Sequence, residues 1–309
     1  DPQLPEKPGA FSGLPSGAHP ALVTYLMGNT YMGAHAMVAT IFHLASRGFI
    51  RIVEREAGGK RPKTKVFFEL DTRKWEAEKQ ELRNYENSLL EFLFVTMGNG
   101  SELAPSVLKK KPGKMQAFYA KWEKMVKEHG KQTGWFDQQN ARIRTVGALI
   151  SLLSMALSAA LIFVMGPLAL IVAALAFVTL IMSLVFHKRT EKGELEFQKW
   201  KSLRAYLKRT HFDPETMAGM PDNIGDYLVY GIALGLGSSW INKLTANLDQ
   251  PTHQLYFPWI VIHLSHMNTI GKTVNDVVTS TSSAMTTPTG GGGTMGGGGG
   301  VSAGGGGAR

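Results

Sequence analysis

The chain has 309 residues, a formal charge of +9 and no cysteine. The missing thiols exclude disulfides, thiolate metal sites and a cysteine nucleophile, and they fit a reducing compartment. A mean hydropathy of −0.06 excludes a chain that is mostly membrane-embedded, and the cationic excess points to anionic surfaces.

Residues 1–19 are rich in Pro and Gly and read as an extended lead-in. The chain begins with Asp1 rather than Met, which fits a processed product or part of a longer polypeptide. From Pro20 the pattern turns helical. Residues 34–47 place Met37, Ile41, Leu44 and Ala45 on one face, and Gly48 marks the stop. Phe49 to Val53 then alternates as a strand, a basic loop follows, and Lys65 to Leu70 returns as a second strand. Helix, glycine, strand, basic loop and strand give a winged-helix-like α+β domain over residues 20–75. Its wing covers 54–64, with Lys60, Arg61, Lys63 and Lys65 as the basic wing residues. Those cations suit phosphates. The helix over 34–46, however, has no Arg, Lys, Asn or Gln to read base edges, so the domain is expected to contact protein rather than a DNA sequence.

Residues 80–140 read as a second helical domain, weakly repeating the first as a winged-helix-like unit. An amphipathic helix carries Tyr85, Leu89, Leu90 and Leu93. A turn at 98–100, a helix over 101–110 and a longer helix over about 113–129 follow. The cationic excess gathers here: residues 47–145 hold 21 Lys and Arg against 13 Asp and Glu.

Residues 146–186 form an uncharged apolar run of 41 residues, broken by Gly166-Pro167. One bilayer crossing takes roughly 20 helical residues, and Gly-Pro breaks a helix. The run therefore predicts a transmembrane helical hairpin, spans 146–165 and 167–186. Arg142 and Arg144 precede it and His187, Lys188 and Arg189 follow it. By the positive-inside rule both ends are cytoplasmic and the turn lies on the other side. Gly147, Ser151, Ser154 and Ser158 fall near one helical face, a small-residue surface expected to pack on Ala169, Ala173 and Ala176 or on another subunit.

After the hairpin, residues 190–278 read as a carboxy-terminal helical region. Helix 191–208 mixes Phe197, Trp200, Leu203 and Leu207 with lysines and arginines, a composition suited to headgroups or to packing on a domain. Residues 226–242 read as one helix rich in small residues and too short to span. Tyr256 to Ile262 is a further helix candidate. Residues 279–309 form a Ser/Thr/Gly-rich tail, with 13 glycines in the last 20 residues. Such a chain buries nothing, so disorder is expected unless another chain packs it.

Tyr230, Ala233, Leu234, Gly235 and Trp240, with the segments Ala39–Ile50 and Tyr85–Phe94 and the glycine-rich ending, resemble a bacterial family of predicted membrane proteins, the domain of unknown function 2207. The resemblance covers most of residues 20–309. It implies an architecture in which an exported β-rich domain and one membrane helix lie upstream of this region. It implies no enzymatic activity.

Catalytic and binding motifs fail on their own terms. Gly271-Lys272-Thr273 looks like the end of a phosphate loop, but His266 stands where its first glycine belongs. Gly235-Leu236-Gly237 follows no predicted strand and lacks the last glycine of a dinucleotide fingerprint. His263 and His266 share a helical face with no nearby carboxylate. The sequence thus predicts a mainly α membrane protein without catalytic, metal or cofactor residues: a non-enzymatic scaffold of the bacterial inner membrane. Its expected partners are anionic lipid headgroups, other membrane or cytoplasmic proteins and copies of itself. The alternative is a membrane-tethered nucleic-acid-binding regulator using the basic wing.

Overall fold

The computed structural model describes residues 13–57, 63–137, 146, 149–158, 171, 174–180, 189–212, 217, 224–246, 250–261 and 270–286. Two compact units divide the chain. One joins residues 3–127 to 199–309, and the other holds residues 128–198.

The first unit is built around a helix that the sequence marks clearly. Helix α1 spans Pro20–Met27, with proline at its first position and His19 as cap. Helix α2 spans His35–Ser46, and Gly48 at φ +81° closes it as expected. Nearly every residue of α2 from Ala36 to Ala45 is buried, so it is a core helix with no polar face. Strands β1 (Ile50–Ala57) and β2 (Lys63–Leu70) pair antiparallel, from Ile50 opposite Leu70 to Ala57 opposite Lys63.

Helix α3 (Thr72–Glu78) starts on an Asp71 cap. Helix α4 (Asn84–Leu90) runs on as a π-helix over Glu91–Met97, which covers the amphipathic helix read from the sequence. The expected helix over 101–110 is shorter. Glu102–Leu103 instead forms strand β3 on the free edge of β2, and helix α5 is confined to Ser106–Lys110. Helix α6 spans Pro112–Gln132.

The chain returns to this unit after the apolar run. Helix α7 spans Glu191–Arg209, α8 Ile224–Ala233, α9 Ser238–Thr245 and α10 Gln250–Tyr256. The single helix expected over 226–242 is thus two helices. The break falls at Gly235, whose φ of +71° is readily adopted only without a Cβ. Residues 257–261 are not helical: Pro258 and Trp259 form a turn, and Ile260–Val261 is strand β4. This corrects the helix expected over 256–262. Trp259 packs edge-on against Phe42 and Phe257 at 5.5 and 5.9 Å, and its carbonyl accepts the Ile52 N–H at 2.8 Å. That anchoring favours pairing over helix. Strand β4 runs parallel to β1, giving the sheet order β3-β2-β1-β4. Helix α11 (Ile270–Thr286) packs on α2, α5 and α9. Helices α1 and α8 cover α2 from other sides.

The second unit contains the apolar run. Residues 149–158 and 174–180 are helical. Among the described residues no helix is long and apolar enough to cross a membrane; Gly147, Gly166, Pro167, Ala169 and Ala173 lie outside them. Ser151 meets Thr179 through a hydroxyl hydrogen bond of 3.0 Å, and Ala176 is buried. The two flanks of the run are tied together. The Thr190 N–H donates to the Trp135 carbonyl at 3.0 Å, the Thr190 hydroxyl to the Gly134 carbonyl at 2.7 Å, and Lys192 to the Thr133 carbonyl at 2.9 Å. Phe136 bridges to Arg189, which also stacks over Phe197 at 3.6 Å.

Candidate functional site

Three elements bring a buried charged cluster together. His19 precedes α1, His43 lies on α2 and Glu86 on the first turn of α4. The side chains of His19 and Glu86 have no solvent exposure. His19 Nδ1 accepts the Ala21 N–H at 3.1 Å. A ring nitrogen that accepts carries no proton, so neutral His19 holds its proton on Nε2, and Nε2 stands 3.3 Å from Glu86 Oε1. The Arg47 guanidinium approaches the same oxygen at 3.0 Å. Glu86 Oε2 takes the Arg83 N–H at 2.9 Å, with the Arg83 guanidinium at 3.6 Å.

These contacts set the protonation states. Burial opposes the charge on Glu86. The hydrogen bond from His19, the Arg83 N–H and the Arg83 guanidinium outweigh it and hold the carboxyl at about 2. Burial pushes His19 below the ordinary histidine value, against the pull of Glu86. Burial, followed by the neighbouring His19, drives His43 down to about 3. Both rings are therefore neutral at pH 7 beside an ionised carboxylate.

By residue type two imidazoles and a carboxylate form a zinc-like ligand set, and their donor atoms lie within 4.8 Å of one another. The hydrogen bonding does not fit a divalent cation. His19 cannot offer Nε2 to a metal while Nδ1 caps α1, because a neutral ring must keep one proton. Arg47 and Arg83 already supply the positive charge that Glu86 calls for. The cluster instead works as a latch joining the segment before α1 to α2 and α4.

A second set of contacts holds the same segment from the other side, through the residues singled out near the carboxy terminus. The Tyr230 hydroxyl donates to the Ala18 carbonyl at 2.8 Å, and its ring stacks on Trp200 at 4.9 Å. The Ala233 carbonyl accepts the Thr24 hydroxyl at 2.9 Å. Gly235 turns the chain so that Trp240 folds back on α8, while its Nε1 donates to the Leu207 carbonyl of α7 at 2.9 Å. The indole lies directly over Gly231, where a Cβ would sit 2.3 Å from Trp240 Cη2. Tyr230, Ala233, Gly235 and Trp240 are thus packing and clamping residues.

The remaining sequence candidates are dispersed. Lys60 and Arg61 lie outside the described residues. Lys63 opens β2, and Lys65 is exposed opposite Arg55, which itself pairs with Glu69 and Glu102. His263 and His266 also lie outside the described residues. Ser151 and Ser158 are buried, and Ser158 donates to the Ser154 carbonyl at 2.8 Å. Sequence reasoning missed the latch. Its signal was a charge on an apolar stripe: Glu86 lies three and four residues before Leu89 and Leu90, beside Tyr85.

The described fold is thus mainly helical and held by this clamp, with an apolar run whose helical pieces turn large side chains outward. The chain belongs to the family described as Predicted membrane protein (DUF2207) C-terminal domain, whose model matches residues 9–244. No curated protein and no solved structure matches the chain.

Proposed function

We propose that the chain is a non-enzymatic scaffold of the bacterial inner membrane, anchored by residues 146–186 as a transmembrane hairpin with its flanks in the cytoplasm. One observation carries the reading. Leu149, Ile150, Leu153 and Leu157 on the first helical piece, and Leu175, Phe177 and Val178 on the second, are all more than half exposed, and Leu153 reaches 76 %. Ser151 and Thr179 satisfy each other between the pieces. Apolar outside with polar groups paired inside is what a bilayer demands of a helix pair. The tie between residues 133–136 and 189–194 supports entry and exit on one side, in keeping with basic residues at both ends.

The helix, strand, loop and strand at 35–70 serve this scaffold as a winged-helix-like module for protein contacts. The burial of α2 supports that use over nucleic-acid reading, since a helix enclosed by α1, α8 and α11 presents no side chains to a groove. The glycine-rich tail joins copies of the chain or docks a partner. Because the chain lacks cysteine, single cysteines at positions 65, 166 and 243 test the topology directly. In intact cells a membrane-impermeant thiol reagent should modify 166 alone. Modification of 65 or 243, with 166 protected, sinks the anchoring reading.

A further inference from the structure

Helix α6 has two unlike faces. Met115, Trp122 and Val126 are fully buried. Phe118 stacks on Phe92 at 3.8 Å, the Tyr119 hydroxyl donates to the Met32 carbonyl at 2.9 Å, and Trp122 Nε1 donates to the Tyr85 carbonyl at 3.0 Å. These contacts fix the roll of the helix about its axis. The opposite face is left in solvent, and it carries Lys114, Lys121 and Lys124 at helical spacing, all exposed. Just before it, α5 ends in exposed Lys109 and Lys110, followed by exposed Lys111. Among the described residues none of these six lysines forms an ion pair with a carboxylate. Further along α6, Lys127 is neutralised by Glu123 and Lys131 by Glu128, each at 2.8 Å.

We propose that this lysine face docks on a bilayer surface rich in anionic lipid headgroups. The inference rests on the anchoring reading and gives it a specific contact. Residues 109–131 contain eight lysines, two glutamates and no arginine. A phosphate held in fixed geometry selects the arginine fork, whereas flexible ammonium groups suit a diffuse and laterally mobile charge. Attraction of this kind falls away within about 8 Å at physiological salt, so the face must be kept near the bilayer. The sequence provides that: α6 ends at Gln132 and the apolar run begins at Val146, a tether of at most about 50 Å even if fully extended.

The full-length protein is incubated with vesicles of phosphatidylcholine alone, or containing about 30 % phosphatidylglycerol to supply the anionic surface. Flotation is scored, and acylation of individual lysines is followed by mass spectrometry, with exposed Lys243 as the internal reference. Acylation of Lys114, Lys121 and Lys124 should slow by at least about fivefold on the anionic vesicles only. About 0.5 M salt should restore it. Equal rates on both vesicles overturn the lysine-face proposal while leaving the hairpin intact. Failure to float with neutral vesicles counts against the hairpin and not against the face. Protection of the same lysines by duplex DNA without lipid, as strong as that by anionic vesicles, would assign the face to nucleic acid and overturn the proposal.

Discussion

Replacing Glu86 by Gln keeps the shape of the side chain and removes its charge. In the native cluster the carboxylate meets Nε2 of His19, two guanidinium groups and one backbone N–H. Breaking a buried ion pair from one side costs about 3–5 kcal/mol. Here the Arg47 and Arg83 side chains are 31 % and 38 % exposed, so both stay hydrated once the charge is gone, and the cost falls to about 2–3 kcal/mol. Linkage gives the same scale. A carboxyl held at about 2 in place of 4.5 corresponds to about 3 kcal/mol of stabilisation at neutral pH. Because the folded value is the lower one, this stabilisation is complete above pH 4.5 and is lost as the pH falls from 4.5 to 2. The assay is denaturant unfolding of wild type and Glu86→Gln in detergent, followed by tryptophan fluorescence at several pH values. The difference between the two proteins should be about 2–3 kcal/mol at pH 7 and close towards zero near pH 2. A difference that does not vary with pH, or one below about 0.5 kcal/mol at pH 7, refutes the latch.

His43, held near 3, is neutral in the fold and takes up a proton on unfolding below its ordinary 6.5. Stability is therefore level above pH 6.5 and falls by up to about 1.4 kcal/mol per pH unit between 6.5 and 3; in His43→Leu, denaturant midpoints should fall less steeply across that window. Gly231→Ala places a methyl against the Trp240 indole and should destabilise by about 1–3 kcal/mol in thermal melts, with partial recovery when Trp240→Phe is added. Ser151→Leu puts a bulky side chain where Thr179 now hydrogen-bonds and should lower the detergent melting temperature, whereas Leu153→Ile, on the exposed face, should not. Deleting residues 287–309 should reduce particle mass in light scattering if the tail joins copies of the chain, and an unchanged mass would remove that role.

The sequence reveals elements wherever one pattern suffices. The apolar period and Gly48 placed α2 to within a residue, and the alternation around Ile50 and Phe67 located the paired strands, although β1 continues to Ala57 and β2 starts at Lys63, inside the segment expected as the wing. It was misleading where distant parts of the chain decide the outcome. Tyr256 to Ile262 is apolar enough for either helix or strand; the free edge of β1, far away in sequence, selects strand. The helix over 226–242 breaks because Trp240 must return to Gly231, a closure that periodicity does not register. The latch was the least visible feature. His19, His43 and Glu86 come from three separate segments, and each alone looks like an ordinary polar residue on an apolar element.

The parallel pairing of β4 with β1 also dictates an order of events at the ribosome. Val53 and its partner Val261 are separated by roughly 200 residues, including the whole apolar run. At about 5–20 residues per second, the second strand emerges some 10–40 s after the first. Through that interval α2 lacks α8 and α11, the helices that later enclose it, and Phe42 lacks Trp259. The apolar run leaves the ribosome before β4 does. The amino-terminal core therefore stays open, with one face of α2 uncovered, until the last third of the chain has been made.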